Sequence, residues 1–94
     1  MDIDEAIKKV LEGIPSGYYF DSHLVLDQLL QEYSDAYFCF MGKFCETDAP
    51  TLAGHQQIGQ KIKGHGDLVE RKDFQSRSKN IHGQVSECAM WRRK

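Results

Sequence analysis

The chain has 94 residues, 40% hydrophobic and 28% charged, with 12 basic against 14 acidic side chains and a formal charge of −2. One domain spanning residues 1–94 is expected at that length, and the ordinary hydrophobic share excludes global disorder. No run approaches the roughly 18–20 apolar residues that cross a bilayer, and the acidic start (Asp2, Asp4, Glu5) lacks the basic region that opens a secretory signal, so a cytoplasmic protein with no membrane partner is expected.

Ile3, Ile7, Val10, Leu11 and Ile14 recur at the spacing of one helical face, with acids in the first turn and Lys8 and Lys9 toward the far end. A first helix over about residues 3–12 follows, stopped near Gly13. Pro15, Ser16 and Gly17 break the chain before Tyr18, Tyr19 and Phe20, an aromatic run suited to a short strand that needs partners. Asp21 or Ser22 can cap a second helix whose apolar face is Val25, Leu26, Leu29, Leu30 and Tyr33. Ser34 can cap a third, turn-rich helix through Tyr37, Phe40, Met41 and Phe44.

Glu46 to Pro50 reads as a loop, and Thr51 is the expected cap of a fourth helix running to about Lys63, ended by Gly64 and Gly66. At 100° per residue Leu52, His55, Ile58, Gly59 and Ile62 share one side, and Gln56, Gln57, Gln60 and Lys61 the other. Gly59 thus falls on the packing side, whereas the pattern gives no reason for Gly54. Leu68 and Val69 open a strand, Lys72 to Asn80 reads as a long polar and basic loop, and Ile81 to Trp91 contains the returning strand of a hairpin.

The near-neutral total hides an asymmetry. Residues 1–50 carry three bases against ten acids, and residues 51–94 nine bases against four acids. From Ala49 to Gly66 there is no carboxylate, so a polyanion approaching that stretch meets lysines and histidines without local repulsion. The competing reading is that the two halves pair with each other inside the fold.

The order of helix, short strand, three helices, strand, basic loop and strand resembles the winged helix-turn-helix superfamily. The resemblance covers nearly the whole chain in topology and carries no diagnostic motif, and the segment from Asp35 to Phe44 adds a helix that a minimal winged helix lacks. It implies an α+β domain of three to four helices with a short antiparallel sheet or hairpin. It also implies that the Thr51 helix enters a DNA groove while the hairpin lies along the backbone.

In such a groove glutamine suits the N6 and N7 edge of adenine, and lysine or arginine neutralises phosphate. Gln56, Gln57, Gln60, Lys61 and Lys63 on the helix, with Lys72, Arg77 and Lys79 on the hairpin, are therefore the candidate nucleic-acid contacts. The alternative is a protein-interaction module of the same shape, meeting a partner or a second copy through the acidic half or the aromatic segment around Phe38. Neither a nucleophile elbow nor a Gly-rich phosphate loop is present, so no enzyme is expected.

His23 with Asp21 and a serine, or with a cysteine and an acid, makes a catalytic set only on paper. No C-x2-C pair exists, and the six-residue spacings Cys39/Cys45 and His82/Cys88 do not match structural zinc sites, so no metal or cofactor is expected. Three cysteines cannot all pair, which predicts reduced thiols, with Cys39 and Cys88 as small buried residues. Tyr18, Tyr19, Phe20, Tyr33, Tyr37, Phe38, Phe40, Phe44 and Trp91 are assigned to the core.

Overall fold

Asp2, in extended backbone, accepts the Glu5 N–H at 2.8 Å and starts α1 (Ile3–Glu12), which buries Ile3, Ala6, Ile7, Val10 and Leu11. The computed structural model describes residues 1–94. Asp21 repeats the device: it ends β1 (Tyr19–Asp21) and accepts the Leu24 N–H at 2.9 Å to start α2 (Ser22–Glu32). α3 (Ser34–Met41) runs into a single 3-10 turn over Gly42–Phe44, and α4 (Pro50–Lys63) follows. The chain closes with β2 (Val69–Lys79) and β3 (Val85–Arg93).

The result is an α+β domain with a three-stranded antiparallel sheet in the order β1-β3-β2, so the early aromatic strand does pair with the late hairpin. Phe20 sits opposite Trp91, and Trp91 opposite Arg71. Residues directly opposite on neighbouring strands share a face of the sheet. Ile7, Leu11, Val25, Leu29, Ile58 and Ile62 form the most deeply buried centre, and Phe20, Val69 and Trp91 join the sheet to it.

Several expectations need correction. α4 begins two residues early: Ala49 rather than Thr51 stands at the cap and supplies no side-chain hydrogen bond, and Pro50 takes the first turn, where a missing N–H is harmless. Lys72 to Asn80 is not a loop, because β2 continues to Lys79 and the connection is only Asn80 to Gln84. Polar side chains do not prevent a strand when its backbone pairs with a neighbour, and the irregular register between Arg71 and Gln75 marks a bulge that bends it. Asn80 closes the turn by accepting the His82 and Gln84 N–H groups at 2.9 and 3.2 Å, and Gly83 supplies the positive φ of 78°.

Tyr18, Tyr19 and Phe38 lie outside the core. Tyr19 precedes buried Phe20 in a strand and so points to the opposite face, where it stacks on Phe74 with ring centroids 6.5 Å apart. On α3, Ala36, Tyr37 and Phe40 take the inner side and leave Phe38 63% exposed and Cys39 in solvent. Cys88 is half-buried rather than buried.

The two α4 glycines exchange roles. A Cβ on Gly54 would overlap the Met41 thioether and come within 3.3 Å of the Phe44 ring, whereas one on Gly59 would meet nothing within 4 Å. Gly59→Ala is therefore expected to stabilise the domain by roughly 0.5–1 kcal/mol through helix propensity. Gly54→Ala must repack Met41 and should melt below Gly59→Ala. Thermal melts of the two variants decide this, and the reverse order would show that Met41 moves aside freely.

Candidate nucleic-acid interface

Once Ile58 and Ile62 are buried, the pitch of α4 sends Gln56, Gln57, Gln60 and Lys63 outward. These four line a concavity of about 520 Å³ between α4 and the sheet, together with Arg71, Gly59, Ala89 and Trp91. No carboxylate lines it, and neither Lys63 nor Arg71 takes part in any ion pair. The Arg71 guanidinium lies 5.8 Å from the centre of the Trp91 ring and donates to the Lys72 carbonyl, which fixes it at the mouth.

Half of the eight candidate residues thus converge, and Arg71 joins them unforeseen. Its signal was present: two residues beyond Val69 in an alternating strand, Arg71 shares the face of the buried valine.

The other four lie elsewhere. Lys61 reaches back to α1 and pairs with Asp4 at 3.2 Å. Lys72 lies 3.6 Å from Glu70, which Arg92 also approaches at 3.4 Å, and 5.7 Å from the Tyr19 ring. Arg77 is 3.9 Å from Glu87 across the hairpin. Lys79 is exposed at the end of β2 with no acid partner. Of the four ion pairs only Lys61 to Asp4 joins the acidic half to the basic half, so internal pairing leaves most of the asymmetry on the surface.

Gln56 and Gly59 also border a second, larger cavity of about 640 Å³ between the α4 start and the hairpin. His23, His55, His82 and Cys88 line it, with Leu52 and Ile81 among its apolar walls. Tyr37 Oη and His55 Nε2 are 2.7 Å apart. Burial pushes His55 below its usual range, and the nearby charges of His82 and His23 push the same way; burial raises the Tyr37 phenol.

Behind the cavity Asp21 organises a polar cluster. Burial alone would raise its carboxyl, but hydrogen bonds from Ser76, the Leu24 N–H and Ser78, with the charge of His23, outweigh it and hold it below the usual range. Ser76 and Ser78 donate to Asp21 Oδ2 at 2.7 and 2.8 Å. The single Ser78 proton is therefore spent, and Ser78 must accept from His23 Nδ1–H at 2.7 Å.

No helix is long and apolar enough to cross a membrane. No family model, curated protein or solved structure matches this chain.

Proposed function

We propose that this domain binds nucleic acid without catalysis, with duplex DNA as the ligand, setting α4 against base edges and the β2–β3 hairpin along the phosphates in the manner of a winged helix. One observation carries the reading: Gln56, Gln57, Gln60, Lys63 and Arg71 share a concave, carboxylate-free surface in a protein whose net charge is −2. Amides there suit the adenine edge, and the two unpaired cations suit phosphate.

Mobility shift against mixed duplexes, repeated from low to moderate salt, tests this. Binding should weaken steeply as salt rises, and Lys63→Ala or Arg71→Ala should each lower affinity and flatten the log–log salt slope by about 1. Lys61→Ala and Arg77→Ala should do less, because Asp4 and Glu87 already offset those charges. Absence of a shift even at low salt overturns the proposal. It would favour a protein-interaction module, for which the exposed Phe38 beside a cleft lined by Leu30, Met41 and Pro50 is the specific support.

A further inference from the structure

Three of the four histidines in the sequence, and one of its three cysteines, line the larger cavity, and no lysine or arginine does. Beside it, one donor atom from each of Asp21, His23 and Cys88 lies within 4.8 Å of the others. Their placement is imposed by the fold. Asp21 and His23 are held two residues apart by the cap that joins β1 to α2, and Cys88 is brought to them by β3, which pairs with β1. The Ser78 hydroxyl sits beside them, donating to Asp21 and accepting from His23.

We infer that Asp21, His23 and Cys88 bind a divalent transition-metal ion of the zinc type, which takes the place of the Ser78 hydroxyl as the partner of Asp21 and His23. A carboxylate oxygen, an imidazole nitrogen and a thiolate sulfur are the three donor kinds that zinc accepts, and three protein ligands leave a fourth position for water. Calcium and magnesium are disfavoured because two of the three donors are not oxygen.

Coordination by His23 Nδ1 moves the ring proton to Nε2, which faces Ser86 Oγ at 3.4 Å, so an outer hydrogen bond that would orient the imidazole is in place. The Cys88 thiol proton goes to solvent as its sulfur binds. Because the thiol must lose its proton to bind, uptake should strengthen as pH rises. None of the three ligands lines the α4 groove, so the inference does not rest on the nucleic-acid reading.

The test is a Co2+ titration of the full chain carrying Cys39→Ser and Cys45→Ser, since both of those thiols are exposed and would otherwise compete. Expected are one equivalent bound, visible bands of tetrahedral cobalt, a near-ultraviolet thiolate-to-cobalt band, and displacement of all of them by Zn2+. Adding Cys88→Ser should abolish the thiolate band, and adding His23→Ala should weaken binding at least tenfold. Adding Ser78→Ala should keep or tighten binding, because it removes the hydroxyl that occupies the ion's place. Circular dichroism of each variant without metal separates lost folding from a lost ligand. Absence of the thiolate band, its survival in Cys88→Ser, or loss of binding in a folded Ser78→Ala overturns the assignment.

Discussion

Trp91→Ala is expected to cost about 3–5 kcal/mol, the range for deleting a buried aromatic side chain. The only tryptophan in the sequence is 3% exposed, sits opposite Phe20 on β1 and Arg71 on β2, and donates its indole N–H to Ser22 Oγ on α2 at 3.0 Å. Truncation therefore loosens the sheet, the start of α2 and the stacked Arg71 together. A domain of this size has roughly 5–15 kcal/mol in total, so the variant should be marginal or largely unfolded at room temperature.

Trp91→Phe separates packing from the hydrogen bond. It keeps an aromatic body and loses the donor to Ser22, so roughly 1–2 kcal/mol is expected, with Ser22 Oγ losing its only side-chain partner. Urea unfolding followed by far-ultraviolet circular dichroism measures both variants, since neither retains indole fluorescence. Equal costs for the two would mean that the indole N–H, rather than burial, holds the sheet together. If the groove binds DNA, folded Trp91→Phe should still bind, because Arg71 keeps an aromatic face beneath it.

The helices were legible because their signals are local. Isoleucines at helical spacing marked α1, and the pair Asp21 and Ser22 marked the start of α2, with the structure assigning the cap to Asp21. The start of β2 at Val69 was legible, but its continuation to Lys79 was not, because a run of Lys, Asp, Gln, Arg and Ser owes its strand form to backbone pairing with β3, which composition does not register. The same long-range pairing decided the candidate site. Helical pitch alone exposed Gln56, Gln57, Gln60 and Lys63, but only the hairpin's arrival added Arg71, and only tertiary packing turned Lys61 toward Asp4. The Asp21–His23–Cys88 cluster was beyond reach for a further reason: Cys88 is 65 positions from His23, and no short spacing records that they meet.

Asp21→Ala should be the second large loss, about 2 kcal/mol at neutral pH. It removes the α2 cap, worth about 0.5–2 kcal/mol, and strands the hydroxyls of Ser76 and Ser78. Partial exposure keeps the figure low, since water can reach those hydroxyls. The sign of the pH dependence follows from the lowered folded pKa. An unfolded aspartate titrates near 3.9, so the carboxylate's contribution is complete above that value and is lost as pH falls through the lower folded one. The gap between wild type and Asp21→Ala should then narrow between pH 6 and pH 3. Asp21→Asn should recover much of the cap and stay nearly flat over the same range, because asparagine caps well but does not ionise. Denaturant titrations of the three proteins across that interval provide the check. A gap that stays constant from pH 6 to pH 3 would mean that Asp21 acts by shape alone, with no part of its contribution carried by charge.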